Sequence, residues 1–398
     1  MSLEHLQAAL EALPDPSYVS GSAKLTEPLA IALPDGDVGA LDDEVFLDWL
    51  LAHAEVAPFG DKGETKLDAS VRNAKRLVAR GKASITGFDP ATVLPAIEAA
   101  LSPRCHLEAR LEDVIVYEKG GKFARHKDTP RSADLVGTLV VGLPIAHEGG
   151  QFTITDGGEH HIVNWSGQPD RTAVRWVALF SDVDHAVKEV TGGARITLVY
   201  SLSATDRPRL DPARASTLAR LRAVVAGLEG NETLMIACTR QIITDGTQPQ
   251  PIDTLRGTDR EIAETFREAG FDVAVRACIV GGEEAGDRSF PDPQQLYGVT
   301  RLATAIPASV IGEMADLVSF TDEIDLEEYA DEEEEAPPGT ALGAYVLDHV
   351  EMDRWVIRRR AHASVIYEGM YSETGYFGNE ASMGHIYSLA AIEVTKRP

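Results

Sequence analysis

YEKGGKFARHKD, residues 117–128, and DVDHAVKEVTGGARITLVY, residues 182–200, are the two stretches that decide the fold and the chemistry of this chain. In the first stretch, His126 and Asp128 lie two residues apart, so on an extended strand their side chains project from the same face. In the second, His185 precedes Arg195 in a pattern that predicts a strand, a Gly-Gly turn and a second strand. We predict that His126, Asp128 and His185 bind one metal ion.

The donor set indicates which metal this is. Two imidazoles and one carboxylate on one side of a metal leave the opposite coordination positions open, which suits a non-haem Fe(II) oxygenase. The guanidinium of Arg195, on the predicted strand next to His185, could pair bidentately with a carboxylate near the metal. A dicarboxylic acid such as 2-oxoglutarate would chelate the iron at one end and contact Arg195 at the other. O2 would take the remaining position.

The spacing of these residues resembles a known family, the 2-oxoglutarate/Fe(II)-dependent dioxygenases, and within it the prolyl-4-hydroxylase-type branch. The resemblance covers about residues 55–201, and it includes APFGDKGET-x-x-D-x-x-VR (57–72) and GTLVVGLP (137–144). The matching residues are Tyr117-x-x-Gly120-x-x-Phe123-x-x-His126-x-Asp128, then Gly149-Gly150, then Asp182-x-x-His185-x-x-x-x-Val190-x-x-Gly193-x-Arg195. The resemblance implies that Tyr117 and Thr197 join Arg195 in holding 2-oxoglutarate.

The resemblance also implies an activity. It implies hydroxylation of a C–H bond, with a protein or peptide side chain as the substrate and with succinate and CO2 as coproducts. The presence of Asp128 favours hydroxylation over halogenation, since an aliphatic residue there would open a coordination position for halide. Two alternatives stay open: a cupin-like metalloenzyme that does not use 2-oxoglutarate, and a non-catalytic binding module.

The hydrophobicity pattern of residues 105–204 predicts a β-sandwich or barrel. Short apolar runs alternate there with turn-forming residues, and the resemblance implies that they form a double-stranded β-helix, or jelly roll. The runs are DVIVYE (113–118), GTLVVGLP (137–144), QFTITDG (151–157), HHIVNW (160–165), AVRWVALF (173–180), HAVKEV (185–190) and ITLVYSL (196–202). The overall prediction is an α+β fold.

Two domains are predicted. The dioxygenase domain spans residues 1–204, of which 1–104 form a helical part that buttresses the sheet, with helices expected over 3–13, 41–54, 70–80 and 89–100. Residues 205–398 form an α/β companion region. An acidic loop over residues 321–339 cannot bury its charge and is expected to be solvated, with a basic partner as the alternative.

Composition limits the partners. The chain has 63 acidic and 37 basic residues and a formal net charge of −26, so nucleic acid is not expected as a partner. Three cysteines without a CxxC pair predict neither a disulfide framework nor a zinc site. No run of about 18 apolar residues and no basic, apolar leader is present, so we expect neither a membrane segment nor a secretory signal, and a cytoplasmic location.

Overall fold

The computed structural model divides the chain into two compact units. The first unit is residues 15–211, and the second combines residues 1–14 with residues 212–398, so helix α1 (Leu3–Glu11) belongs to the second. The structure describes residues 3–61, 64–128, 134–156, 159–209, 212–228, 233–242, 249–283, 296–302, 346–350, 354–358, 364–371 and 382–397. The predicted acidic loop, residues 321–339, lies outside them. Within them, no helix has the length and apolar character needed to cross a membrane.

The first unit consists mainly of strands. Its early elements are β1 (Tyr18–Lys24), β2 (Ala30–Ala32), β3 (Val38–Ala40), α2 (Phe46–Ala52), β4 (Glu55–Val56), β5 (Phe59–Asp61), β6 (Glu64–Lys66), β7 (Arg72–Asn73), β8 (Lys75–Val78), β9 (Ser84–Thr86) and α3 (Leu94–Leu101). Its later elements are β10 (Cys105–Tyr117), β11 (Lys122–His126), β12 (Leu135–Gly142), β13 (His147–Gly149), β14 (Phe152–Asp156), β15 (Glu159–Val163), β16 (Ala173–Phe180), β17 (Asp184–Val187), β18 (Val190–Gly193) and β19 (Arg195–Pro208).

Two antiparallel sheets form the body of this unit. The larger has the strand order β1-β16-β12-β19-β10-β8-β4, and the smaller has the order β15-β14-β17-β11-β7. From β10 onward the chain alternates between the two sheets. Strands β10, β12, β16 and β19 belong to the larger sheet, and strands β11, β14 and β17 belong to the smaller sheet. All seven apolar runs predicted as strands are confirmed.

The two sheets share one hydrophobic core. Leu139 and Val141 of the larger sheet belong to the same buried cluster as Phe152 and Ile154 of the smaller sheet. Trp176, Ala178 and Phe180 of β16 are also buried in this core. Burial of such side chains contributes about 1.5–3 kcal/mol each and is the main force that holds the sheets together.

The predicted helix over residues 70–80 is wrong, and the prediction of a helical part over 1–104 holds only locally. Residues 72–73 and 75–78 are strands β7 and β8, which pair with β11 and β10. Helical propensity is a weak preference that partners in a sheet override. Helix α2 and helix α3 confirm two other predictions, and Asp89 accepts a hydrogen bond from the Ala91 amide (2.9 Å) before a 3₁₀ turn at Pro90–Thr92.

The second unit has its own sheet and core. Its further elements are α4 (Pro212–Thr217), α5 (Ala219–Ala226), β20 (Thr233–Ala237), a 3₁₀ turn at Ile252–Thr254, α6 (Gly257–Glu268), β21 (Phe271–Glu283), β22 (Leu296–Leu302), β23 (Val346–Val350), β24 (Trp355–Val356), β25 (Ser364–Tyr371) and β26 (Ser382–Lys396). The strand order is β23-β22-β21-β26-β20-β24, with β25 also pairing with β26. The region predicted as an α/β companion therefore begins with helices α4, α5 and α6 and strands β20 and β21.

A buried ion pair stabilises this unit. The carboxylate of Asp259 is fully buried, pairs with the guanidinium of Arg358 and accepts hydrogen bonds from the backbone amides of Thr239 and Arg240. Charges buried in this way are tolerated because each has a partner.

Asp259→Asn should lower the free energy of unfolding by about 3–5 kcal/mol, because it removes one partner of a buried ion pair. Asp253→Asn is the matched control: it removes a carboxylate that also pairs with an arginine, Arg260, but is 74% exposed, and should cost less than about 1 kcal/mol. Urea unfolding of the full chain measures both. Equal effects would contradict the prediction.

The unit boundaries predict which fragment folds alone. A fragment of residues 15–211 should unfold cooperatively, since its core cluster contains no residue of the second unit. A fragment of residues 1–204 should be less soluble, because Leu6 and Leu10 of α1 pack against residues of α5 and α6 that it lacks. Circular dichroism melts and sedimentation compare the two. Better behaviour of the 1–204 fragment would contradict the assignment of α1.

Candidate metal centre

Pairing of two neighbouring strands brings the two predicted histidine ligands together. In the smaller sheet β11 is antiparallel to β17, and His126 lies directly opposite His185. Their ring centroids are 4.2 Å apart. Asp128 follows β11 by two residues, and its Oδ1 lies 4.0 Å from His126 Nε2 and 3.8 Å from His185 Nε2. The three potential ligand atoms lie within 4.8 Å of one another.

The residues around the first stretch position His126. Gly120 has φ +84° in the turn that takes the chain from β10 to β11, a conformation that favours glycine. Phe123 then stacks on the His126 ring, with centroids 3.5 Å apart. Phe152 lies on β14, the other neighbour of β17, and stacks on His185 with ring centroids 5.3 Å apart. In the motif, Tyr117 therefore ends β10, Gly120 lies in the turn, and Phe123 and His126 lie on β11, where the Phe123 ring packs against the predicted metal ligand.

Each of the three side chains has one polar atom held by the protein. His126 Nδ1 donates to the Ala124 carbonyl (2.8 Å), and His185 Nδ1 donates to the Val183 carbonyl (3.0 Å). Asp128 Oδ2 accepts a hydrogen bond from the Thr138 hydroxyl. Because Nδ1 carries the proton in both histidines, the Nε2 lone pairs remain for a metal, together with Asp128 Oδ1.

The ionisation of these groups also suits a metal. Burial, followed by the nearby His185, lowers the pKa of His126 to about 4, so that its ring is neutral at neutral pH. For Asp128, burial raises the pKa, but His185, His126 and the Thr138 hydroxyl together lower it below its ordinary value. A neutral imidazole and an ionised carboxylate are the states in which His126 and Asp128 can bind a metal.

Arg195 is buried without a counter-charge in the part of the chain that the structure describes. It begins β19, its side chain is 2% exposed, and its Nε and Nη2 have no hydrogen-bond partner. These two nitrogens form one edge of the guanidinium, which can donate two parallel hydrogen bonds to a carboxylate. Burial lowers the pKa of Arg195 to about 10, which still leaves it charged at neutral pH.

Tyr117 and Thr197 lie where they can contact the same ligand as Arg195. Tyr117 pairs with Arg195 across β10 and β19, and its ring centroid is 5.5 Å from the Arg195 Cζ. Thr197 is two residues further along β19 and is 1% exposed. All six sequence-predicted residues line one cavity of about 470 Å³; they are Tyr117, His126, Asp128, His185, Arg195 and Thr197.

The predicted hairpin that joins His185 to Arg195 is wrong. His185 lies in the smaller sheet, whereas Arg195 lies in the larger sheet between β12 and β10. The Gly192-Gly193 pair is not a turn between them: it lies in β18, which pairs with β13. Glycine is needed here because a Cβ on Gly193 would lie 2.7 Å from the Ala146 carbonyl oxygen.

The Gly149-Gly150 pair closes β13 as predicted, and the structure adds the reason. Gly149 and Gly150 both have positive φ, at 70° and 67°. A Cβ on Gly150 would lie 3.0 Å from the Arg195 Cδ, so glycine leaves room for the arginine side chain.

Four further residues of the site are not among the site residues that the sequence predicts. Thr138 orients Asp128, Trp165 lies 5.2 Å from the Arg195 guanidinium, and Arg72 lines the cavity. His147 borders a second cavity of about 240 Å³ beside Arg195, and burial lowers its pKa. Arg72 and Thr138 lie within stretches that carry the family resemblance, but the pairing of the strands is what shows the contacts of all four.

Comparisons with known proteins give distant structural neighbours. No protein-family model and no curated protein matches the chain. The solved structures it is similar to include an oxidoreductase of the 2OG-Fe(II) oxygenase family from Burkholderia pseudomallei (17% identity, 51% of this chain, 94% of that chain, TM-score 0.28). A Pseudomonas putida prolyl-4-hydroxylase gives 17% identity, 50% and 99% coverage and TM-score 0.28. A cupin 2 conserved barrel domain protein from Rhodopseudomonas palustris gives 18% identity, 43% and 84% coverage and TM-score 0.20.

These neighbours include both oxygenases and a cupin. At such identities and TM-scores they do not distinguish the two kinds of protein. The choice between an oxygenase and a cupin-like protein therefore depends on the side chains of this chain.

Thr138→Val should lower the affinity for a divalent metal about tenfold to 100-fold, because Asp128 loses the hydrogen bond that orients it. Titration of the metal-free protein with Co(II), followed by its visible absorption, measures the affinity. Thr155→Val is the control, since the Thr155 hydroxyl contacts His160 on an exposed part of β14 and β15. Unchanged Co(II) affinity in Thr138→Val would show that Asp128 is positioned without Thr138.

Proposed function

We propose that this protein is an Fe(II)- and 2-oxoglutarate-dependent dioxygenase that hydroxylates a C–H bond of its substrate. The observation that carries the proposal is the buried edge of Arg195, which lacks a partner and lines the same cavity as His126, Asp128 and His185. An uncompensated buried cation is costly, and an anionic ligand would offset that cost.

The donor set fits Fe(II). His126 and His185 would bind it through Nε2 and Asp128 through Oδ1, since their other polar atoms already have partners in the protein. The three groups come from one side, which leaves coordination positions open for a bidentate ligand and O2. Three ligands without thiolate also argue against a structural zinc site, which takes four protein ligands.

The cavity fits 2-oxoglutarate. Arg195 would hold its distal carboxylate through Nε and Nη2, with Tyr117 and Thr197 lining the same part of the cavity. The burial of all three side chains excludes water from that carboxylate and so strengthens the ion pair. The jelly-roll description belongs to this proposal, supported by the chain's alternation between two antiparallel sheets that share a core.

When bound, Fe(II) with 2-oxoglutarate and O2 would supply oxidation of a substrate C–H bond to an alcohol, with succinate and CO2 as coproducts. The protein's own residues would act by positioning: His126, Asp128 and His185 would hold the metal, and Arg195 would hold the distal carboxylate of 2-oxoglutarate. Phe123 and Phe152 support the two histidine rings.

The rest of the proposal concerns the chain's surroundings. We propose a protein or peptide side chain as the substrate and a cytoplasmic location, which the free state of all three cysteines supports. We further propose that residues 15–211 are the dioxygenase unit and that the second unit is a companion to it.

The cupin-like alternative is the second candidate, since it would use the same metal ligands without 2-oxoglutarate. It gives no role to the buried, unpartnered edge of Arg195. A non-catalytic binding module would need neither that edge nor the grouping of His126 and His185 with Asp128. Neither alternative explains why an edge of Arg195 is buried in this cavity without a partner.

Anaerobic addition of 2-oxoglutarate to the Fe(II)-loaded protein should produce a visible charge-transfer band in the green region. Arg195→Ala should weaken 2-oxoglutarate binding about tenfold to 100-fold, as expected for loss of hydrogen bonds to a charged group. Asp128→Ala should weaken metal binding as well. Titration of the band measures both effects.

Arg175→Ala is the control for Arg195→Ala, because Arg175 is an exposed arginine on β16 of the larger sheet. It should leave the band unchanged. Bound iron without a band in the wild-type protein would refute the use of 2-oxoglutarate and favour the cupin-like alternative.

A further inference from the structure

The cavity contains a second arginine that the proposed chemistry does not use. Arg72 begins β7, at the edge of the smaller sheet, and pairs across the strands with Phe123 of β11. Its guanidinium carbon lies 4.4 Å above the Phe123 ring centroid, and that ring stacks on His126. The Phe123 ring therefore lies between the Arg72 guanidinium and His126, a proposed metal ligand.

The protein satisfies only part of the Arg72 side chain. Nη1 donates to the Pro58 carbonyl, while Nε is buried and has no partner. Among the described residues no carboxylate lies within ion-pair distance of it. The stack on Phe123 and the bond to Pro58 fix the direction of the side chain, so the guanidinium is held in place before any ligand arrives.

The other cations of the cavity differ from Arg72. Arg80 pairs with Glu112 (3.5 Å), and Arg110 lies 3.9 Å from Glu108. Arg195 has no carboxylate partner, but its buried edge is assigned to 2-oxoglutarate in the proposed function. Arg72 is therefore the one remaining arginine of this cavity, among the described residues, that has no carboxylate partner and no assigned ligand.

The carboxylates of the cavity do not neutralise Arg72 either. Glu112 is paired with Arg80, and Asp113 lies 3.9 Å from Arg76. Asp128 is near enough for the charge of Arg72 to help lower its pKa, but it forms no ion pair with Arg72 and is committed to the metal and to Thr138 in the proposed function. Asp134, the fourth carboxylate that lines the cavity, forms no ion pair with Arg72 among the described residues either. A positive charge that faces the reaction cavity, while the nearby carboxylates are engaged elsewhere, is suited to an anionic group on the molecule that enters.

We infer that the substrate carries a carboxylate, that this carboxylate binds Arg72, and that this contact places the substrate beside the metal. The inference rests on the proposed dioxygenase activity and narrows its substrate class. The carboxylate has two possible sources: an acidic side chain of a peptide, or a small carboxylic acid. Arg72 is a specificity-determining residue in either case.

The test uses two sets of compounds, each built from matched pairs. One set is a peptide library in which every member with Asp or Glu has a counterpart with Asn or Gln, and the other is a set of small carboxylic acids with their amides. Each compound is added anaerobically to the full-length Fe(II)·2-oxoglutarate protein, and its binding is read from the change in the charge-transfer band. Compounds that bind are then given O2, and the product is examined for a mass gain of one oxygen.

The wild-type protein should bind carboxylate members more tightly than their amides. Arg72→Met, which keeps apolar packing on Phe123 but removes the charge, should weaken binding of the carboxylate members about tenfold to 100-fold. It should leave the amides and 2-oxoglutarate unaffected. Arg72→Lys should keep part of the preference, and it also provides a folded variant if Arg72→Met does not fold. The set that responds identifies the source of the carboxylate.

Arg110→Gln is the matched control, because it removes a cavity arginine that has a carboxylate neighbour, and it should leave the preference unchanged. Three results would overturn the inference. The first is that the wild-type protein shows no preference for carboxylates, which includes the case in which it binds neither set. The second is a preference that survives both Arg72 substitutions, and the third is loss of the 2-oxoglutarate band in both Arg72→Met and Arg72→Lys. The last would mean that Arg72 serves the cosubstrate. Absence of the band in the wild-type protein would instead refute the proposed function.

Discussion

The antiparallel register of β11 with β17 is the constraint on which the candidate site depends. It places His126 opposite His185, and the loop after β11 brings Asp128 to both rings. In a strand, a shift of one residue turns every side chain to the other face, so a slip in this register would separate the ligands. Phe123 and Phe152 support this register, since each packs on one of the two imidazoles and belongs to the core shared by the sheets. The same residues that hold the sheets together therefore hold the ligand geometry.

The cavity is also defined by two arginines that the fold does not neutralise. Arg195 is held by close packing, with Tyr117 and Trp165 rings near its guanidinium and Gly150 leaving space for its side chain. Arg72 is held by Phe123 and the Pro58 carbonyl. Aromatic rings and carbonyl groups orient a guanidinium without cancelling its charge. A chain of net charge −26 has many carboxylates with which these arginines could pair, so their isolation points to anionic ligands.

The sequence was most informative where a local pattern maps directly onto a strand. The apolar runs between residues 113 and 202 are strands because alternation and flanking turn residues suffice to define them, and the ligand triad followed from residue types and spacing. Residues 70–80 were predicted as a helix because their composition favours one, and only pairing with β10 and β11 makes them strands. The roles of Thr138 and Arg72, and the placement of the correctly predicted helix α1 in the second unit, depend on contacts between separate parts of the chain, which the sequence alone does not give. The Gly192-Gly193 pair was misread because glycine serves both a turn and a close approach of strands.

A comparison of three histidines shows which features distinguish a potential metal ligand from a histidine that has no other potential ligands beside it. His126, His147 and His185 each donate Nδ1 to the carbonyl two residues earlier, a contact that extended backbone makes available, and so each presents Nε2 as an acceptor. His147 nevertheless belongs to no group of potential metal ligands among the described residues, and its charged neighbour is the cation Arg195. His126 and His185 have each other and Asp128. The local backbone thus fixes the tautomer of all three rings, whereas the metal site arises only where the sheet adds a second ring and a carboxylate.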